Sequence, residues 1–345
     1  MRLLNRHPAP AAVSLDRPAF LITIDTEGDD LWSRPHEITT HNAGHLPRFQ
    51  RLCEEYGFRP TWLVNHEMAN CPTFVSFGRD MLRRGAGEIG MHLHAWNCPP
   101  LVPLTDDDFH HQPFLVDYPP ELMDAKITHM TRLLHNRFEC ELLSHRAGRW
   151  ALNATYAQLL VQHGYRVDCS VTPHVSWRRT QGAPGGRGGT DYRRFPARPY
   201  WMDLQHIERD GESPLLELPM SIVPDTLHRL MPFAYSMPGV RRWAWRRSPP
   251  QLWLYPDGRN LEHLLTVVDE GVLADRPCLE MVLHSSELMP GGSPLFRDPA
   301  AIDGLYSDLR ALFDAIATHF TGMTLAEFRQ AWMAAPGPVA LQAAA

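Results

Sequence analysis

Short apolar runs and longer stretches of helical period alternate along most of this chain, and that alternation sets the expected fold. AFLITID (19–25), rich in β-branched residues and followed by acidic and glycine residues, predicts a buried strand opening into a polar loop. From Leu46 to Tyr56 the apolar spacing is helical, and Gly57 supplies the stop. TWLVN (61–65) predicts a second strand, Pro72–Arg84 a helix with proline at its start, and EIGMHLH (88–94) a third strand. A Pro- and Asp-rich loop (97–118) leads into a long helix over Pro119–Phe138. The order then runs strand (141–148), helix (Asn153–His163) and strand (165–171).

Residues 174–212 break the rhythm, and GAPGGRGG (182–189) reads as a flexible loop and a candidate lid. PLLELPMSIV (214–223) resumes a strand, and 224–258, dense in Trp, Arg and Pro, reads as irregular or short helical structure. Helix Asn260–Glu270, strand CLEMVLH (278–284), helix Ala300–Phe320 and a short closing helix (324–332) complete the chain.

Repeated strand–helix alternation implies a parallel sheet with helices packed outside it. About seven strands fit a closed or nearly closed β/α barrel better than an open doubly wound sheet. The expected organisation is an N-terminal extension (1–18), one barrel domain (19–335) with an irregular insertion at about 174–258, and a frayed tail (336–345).

Composition narrows the function classes. The 345 residues carry 33 basic and 39 acidic side chains, a net charge of -6, which offers no field to attract nucleic acid. Lys126 is the only lysine, so Schiff-base chemistry has one candidate. Six cysteines show no C-x-x-C spacing and read as small buried hydrophobes. No segment has the profile of a signal peptide or the roughly 20 apolar residues of a membrane span, so a cytoplasmic location is expected.

Candidate chemistry collects where the strands end. In β/α barrels the C-terminal ends of parallel strands share one rim. The first predicted strand runs into Asp25-Thr-Glu27-Gly-Asp29-Asp30, the third into His92-Leu-His94, the fourth into His145-Arg146, the next into Asp168, and the last into His284-Ser285-Ser286-Glu287. His92 and His94 are two apart, so both imidazoles face one side of a strand. With a carboxylate from a neighbouring strand they make a two-His, one-carboxylate metal site. Asp25 and Glu27, also two apart, can supply one metal ligand and one general base. Arg146 suits a carboxylate's partner, Asp168 a histidine-orienting group, and His284 a general acid.

These motifs, in this order over roughly 19–330, resemble the NodB-type polysaccharide deacetylases, carbohydrate esterase family 4, and in particular a divergent branch associated with glycan biosynthesis. IDTEGDD (24–30) resembles the family's aspartate motif, EIGMHLHAW (88–96) its metal-binding histidine motif, and SHRAGRW (144–150) its arginine turn. DCSVTP (168–173) and VLHSSELMPGGSP (282–294) resemble its last two motifs. The resemblance implies a distorted (β/α)7-type barrel and metal-dependent removal of an N-acetyl group from an amino sugar.

It further implies Asp25 as base, Glu27, His92 and a second histidine as ligands of a divalent ion, Zn²⁺ foremost. It implies Arg146 steadying the base and Asp168 tuning His284, the acid. Two departures stand out. Thr26 separates the acidic pair, leaving Asp29 or Asp30 as an alternative ligand to Glu27. The position four after His92 is Trp96, leaving His94 as the second histidine. A non-catalytic glycan-binding relative and a hydrolase of a non-sugar amide remain as alternatives.

VRRWAWRR (240–247), with Trp253 and Tyr255, interleaves cations and aromatics. It reads either as a surface for sugar rings, a lipid-linked glycan or a membrane face through 240–255, or as a helix with inward tryptophans and solvated arginines. GAPGGRGG lacks the ending of a phosphate-binding loop, and Ser285 and Ser286 lie in no nucleophile elbow.

Overall fold

A computed structural model describes residues 16–225 and 249–334. The VRRWAWRR segment and the two chain ends lie outside the described residues.

The first predicted strand forms as β1 (Ala19–Thr26), buried along its whole length. Its side chains alternate between two cores. Phe20, Ile22 and Ile24 pack in the large core that the outer helices share, whereas Ala19 and Leu21 pack in a smaller cluster with Leu63, Val167, Leu216, Leu218 and Cys278. A strand buried on both faces reads as an unbroken apolar run, which is why AFLITI shows no polar alternation.

The other strands are β2 (Thr61–Val64), β3 (Glu88–Leu93), β4 (Ser144–Ala147), β5 (Val167–Asp168), β6 (Tyr200–Trp201), β7 (Leu216–Glu217), β8 (Ile222–Pro224), β9 (Gln251–Trp253), β10 (Cys278–His284) and β11 (Thr321–Met323). All but β8 and β9 belong to one curled sheet, in the order β10-β1-β2-β3-β4-β5-β7-β6 with β11 also on β1, parallel except for the β6–β7 pair. β11 pairs with the first half of β1, Ala19–Leu21, and β2 with the second half, Thr23–Thr26. The expected barrel is thus a curled half-barrel. Its open side is bridged by single backbone bonds: Ser221 N–H donates to Glu280 O, Leu254 N–H to Ser221 O, and Val282 N–H to Leu254 O. The predicted strand 214–223 divides at Pro219, which has no N–H for a ladder. Its second half, β8, pairs antiparallel with β9.

Helices α1 (Leu46–Glu55), α2 (His66–Ala69), α3 (Pro72–Arg83), α4 (Asp108–His111), α5 (Pro120–Phe138), α6 (Ala154–Gln162), α7 (Leu261–Leu273), α8 (Pro299–His319) and α9 (Leu325–Ala334) follow the strands. Asn153 caps α6 and Asp298 caps α8, each side chain accepting an N–H three residues on, worth about 1 kcal/mol apiece. Leu325 and Phe328 of α9 join the small interior cluster beside Ala19 and Leu21. One end of the half-barrel is therefore closed by apolar packing. Further along β1 the interior positions become Thr23 and Asp25, and the interior turns polar there.

GAPGGRGG (182–189) forms a loop, though its glycines serve close packing as well as freedom. A Cβ on Gly188, at φ +74, would lie 2.1 Å from Arg178 O. The six cysteines are unpaired, and all but Cys140 are buried. No helix among the described residues is long and apolar enough to cross a membrane.

Candidate metal and acid–base site

Parallel register carries the predicted residues to one rim. Asp25 stands opposite His284 across the β1–β10 pair, and His92 opposite Arg146 across β3–β4. Glu27, His92 and His94 offer ligand atoms that all lie within 4.8 Å of one another, and all three are buried. Glu27 Oε2 is 3.4 Å from His94 Nε2 and 3.7 Å from His92 Nε2. Ligand atoms held at 2.0–2.1 Å around a tetrahedral ion stand roughly 3.3–3.5 Å apart, so the spacing suits a shared cation.

The two imidazole donors are also in the right chemical state. His92 Nδ1 lies 3.0 Å from the Arg146 carbonyl, which can only accept, so Nδ1 carries the hydrogen and Nε2 presents its lone pair toward Glu27. Burial holds His92 down to about 4 and drives His94 well below its ordinary value, leaving both imidazoles neutral. Burial pushes the Glu27 carboxyl up to about 8, outweighing the opposite pull of the His284 charge. His94 Nδ1 is buried without a hydrogen-bond partner among the described residues, and its ring stacks on Trp96 with centroids 4.3 Å apart. The residues present fit a divalent ion.

Behind the triad, Ser285 fixes the Glu27 backbone. Its hydroxyl accepts the Glu27 N–H and donates to the Glu27 carbonyl, each at 3.0 Å. Glu67 accepts the Gly28 N–H at 3.0 Å and Asn97 Nδ2 at 2.7 Å, tying the loop after β1 to the loop after β3. Gly148 leaves room for His94: a Cβ there would lie 2.7 Å from the His94 ring and 2.4 Å from Leu93 O.

Arg146 is fully buried with every nitrogen engaged. Nε donates to Cys169 O, Nη1 to Asp25 Oδ1 at 2.6 Å, and Nη2 to Thr23 Oγ1 and Glu280 Oε1. Burial raises the Asp25 carboxyl, but the charges of Arg146 and His284 outweigh it and hold Asp25 below its ordinary value. Asp25 is therefore an ionised carboxylate with one oxygen committed to Arg146 and the other 3.9 Å from His284 Nε2.

His284 has the opposite bias. Burial disfavours its cation, yet Glu287, Glu27 and Asp25 raise it to about 10. Glu287 holds it in place, accepting the His284 backbone N–H at 2.8 Å, lying 3.3 Å from Nδ1, and accepting the Tyr255 hydroxyl. A base kept ionised and an acid kept protonated thus flank one point on the rim.

Two expectations need correction. Asp168 does not reach His284. Side chains alternate along a strand, and Asp168 shares the outward face with His145, whose Nδ1 it meets at 2.6 Å. His145 Nε2 in turn meets Tyr156 OH on α6 at 2.8 Å. The second concerns Asp29, whose oxygens accept Thr39 Oγ1, the backbone N–H of His41 and Asn42, and Asn42 Nδ2. That carboxylate clamps its own loop, and neither it nor Asp30 joins the His92–His94 pair. Lys126 is likewise committed: Nζ donates to the carbonyls of Ala95, Cys98 and Pro100 at 2.6–2.9 Å, pinning the loop after β3.

Glu280 and Glu67 escaped the sequence reading. Each sits in or beside a strongly apolar segment, and a carboxylate inside CLEMVLH was the available signal, since a charge buried in a strand needs a partner.

No family model matches the chain, and no curated protein resembles it in sequence. Solved structures do. A protein assigned as a polysaccharide deacetylase from Mycobacterium smegmatis superposes with a TM-score of 0.53 at 14% identity, covering 94% of this chain and 95% of that one. A protein assigned as a glycoside hydrolase/deacetylase from Parabacteroides distasonis gives 0.57 at 11% identity, over 94% and 73% of the two chains. At these identities the likeness speaks to fold: the chain has the curled, parallel-rich β/α half-barrel of the polysaccharide deacetylases.

Proposed function

We propose that the protein is a metal-dependent hydrolase that removes the N-acetyl group from an amino sugar of a glycan or glycan precursor. One observation carries the reading: the Glu27–His92–His94 triad, the Asp25–Arg146 pair and the His284–Glu287 pair converge on one rim of a deacetylase fold.

Glu27, His92 and His94 would hold the ion, and a set of two imidazoles and one carboxylate suits Zn²⁺. Such an ion, when bound, polarises the amide carbonyl and acidifies water. Asp25 takes a proton from the attacking water, its free oxygen aimed away from Arg146. Arg146 sets the orientation of that carboxylate and keeps it ionised. His284 delivers a proton to the departing nitrogen, since an amide nitrogen leaves readily only as a neutral amine. Water and amide give acetate and free amine, and Asp25 and His284 exchange protons with solvent to reset. The fold's neighbours, assigned as polysaccharide and glycoside-directed enzymes, favour a carbohydrate amide.

The test is elemental analysis of wild type beside the His92→Ala/His94→Ala variant, followed by an acetate-release screen on N-acetylated sugars. The expected result is near one zinc per chain, lost in the variant, with acetate released only by wild type. A metal-free wild type after incubation with Zn²⁺ would overturn the reading.

A further inference from the structure

The cationic side chains of this protein are unevenly spread. Residues 174–200 hold six arginines, Arg178, Arg179, Arg187, Arg193, Arg194 and Arg198, against a single acidic residue, Asp191. Residues 226–248 add five arginines and no acid, so they bring no negative charge to set against that group. The remainder of the chain carries 22 basic and 38 acidic side chains, a clear excess the other way.

The fold puts the 174–200 arginines on the rim that carries the candidate site. Their segment leaves β5 at its rim end and returns there to start β6, which runs antiparallel to β7. It is built as a hairpin: Ser176 bridges Asp191, Trp177 N–H donates to Thr190 O at 2.9 Å, and Gly189 N–H to Trp177 O at 3.0 Å. All six arginines are exposed. Arg178 and Arg193 share Asp191, and Arg198 pairs with Asp210. Arg179, Arg187 and Arg194 have neither an ion-pair nor a hydrogen-bond partner among the described residues.

A second, independent pattern falls at the same end. The parallel strands place the loops after β1, β3 and β10 on that rim. Those loops carry Trp32, Leu101, Val102, Leu104 and Leu295, five of the eight large apolar residues that stand exposed among the described residues. The other three, Val272, Leu273 and Met333, lie at the ends of α7 and α9, away from the rim. Leu101 is 65% exposed and Val102 47%, on a loop whose base Lys126 pins through the carbonyls of Ala95, Cys98 and Pro100. Of the three aspartates after Leu104, two turn back on their own loop: Asp107 accepts the His110 N–H, and Asp108 accepts those of Leu104 and Thr105. Asp106 is the exposed one.

We propose that this rim docks on an anionic lipid bilayer, the hairpin arginines meeting headgroup phosphates and Trp32, Leu101, Val102 and Leu104 entering the interfacial layer, so that the site opens toward the membrane surface. Such a surface offers burial to the apolar side chains and counter-charge to the unpaired guanidinium groups at once. Guanidinium suits the phosphate because its planar fork can donate two parallel hydrogen bonds to one group. A nucleic acid or an acidic polysaccharide would answer the charge, but it gives Leu101, Val102 and Leu104 no apolar layer to enter. The inference does not rest on the deacetylase reading, because it concerns where the protein sits and not which bond it cleaves.

The experiment is flotation of the full-length protein with vesicles of phosphatidylcholine alone, and of phosphatidylcholine with roughly a third phosphatidylglycerol. Wild type should partition at least tenfold more strongly onto the anionic vesicles. It should lose most of that binding when added salt shortens the screening length from about 10 Å to about 3 Å. Arg179→Gln/Arg187→Gln/Arg194→Gln should lose at least tenfold in partition coefficient. The charge-matched control Arg83→Gln/Arg132→Gln/Arg310→Gln, on the outer helices, should stay within twofold of wild type. Leu101→Ser/Val102→Ser should lose at least threefold while keeping the response to salt. Every substituted residue is exposed, and unchanged thermal unfolding checks that each variant keeps its fold. No preference for anionic vesicles, unchanged binding in the hairpin variant, or an equal loss in the control would overturn the proposal. Unchanged vesicle binding in Leu101→Ser/Val102→Ser, with heparin or a DNA oligonucleotide held more tightly than the vesicles, would overturn it in favour of a soluble polyanion. Flotation and acetate release are read separately, so the docking and the deacetylase readings can each fail alone.

Discussion

Arg146 Nη1 stands 2.6 Å from Asp25 Oδ1, and the same guanidinium reaches Glu280 through Nη2. One cation is thus divided between two buried carboxylates on neighbouring strands. Burial pushes Glu280 up to about 7 despite Arg146, while Asp25 is held low. Asp25 receives the larger share of the charge.

Removing the shared cation leaves an uncompensated charge in the interior. Arg146→Met should cost about 3–5 kcal/mol of stability by urea denaturation and abolish turnover. Adding Glu280→Gln should recover part of the stability and none of the activity. Full activity in Arg146→Met would contradict the role given to the pair.

Asp25→Asn should keep the metal and lose turnover, because the triad contains no atom of Asp25. Metal content and acetate release from the same preparation check both halves.

His284 is raised to about 10 chiefly by Glu287. A proton donor with a raised value remains competent until pH climbs through that value, so the limb of the profile set by His284 should lie on the alkaline side. Glu287→Gln removes the charge that raises it, and the alkaline limb of the pH–rate profile should move to lower pH. His284→Gln should lower kcat by roughly 10²–10⁴. An unmoved limb in Glu287→Gln would mean that another group sets it.

Asp168→Asn should behave as a structural variant. It weakens a buried bond to His145 on the outer face of the sheet, at about 1–3 kcal/mol, and should leave kcat within a few-fold of wild type. A loss of several hundredfold with stability intact would return Asp168 to the reaction.

Gly148→Ala inserts a methyl group into space that the His94 ring needs. Zinc affinity, measured by competition with a chelator, should fall by about tenfold or more, as expected when the support of a ligand is disturbed.

The fold was legible wherever apolar run length and proline or glycine punctuation agreed. The helices at Leu46, Pro72 and Pro299 and the strands at Ala19, Thr61 and Cys278 lie within a residue or two of expectation. The short strands β6, β9 and β11 left no such trace, because two or three residues carry no period and owe their pairing to neighbours distant in sequence. At the site, i and i+2 spacing put Asp25 with Glu27 and His92 with His94. The same rule, applied between His145 and Arg146, separates Asp168 from His284, since adjacent residues on a strand face opposite ways. Glu287 was in view within HSSE, but its grip on His284 depends on a tight turn that spacing alone does not disclose.

β1 lies between β2 and β10, so its partners come from both ends of the chain. Thr23 bonds Glu280 across 257 intervening sequence steps, and Asp25 pairs with His284 from still later in synthesis. At ~5–20 residues per second, a ribosome needs roughly 13–50 s to travel between those partners. Until then the first strand has one open edge and the base has no acid facing it. On the proposed mechanism the nascent chain stays inert for most of translation, since Asp25 meets His284 only as β10 docks against β1.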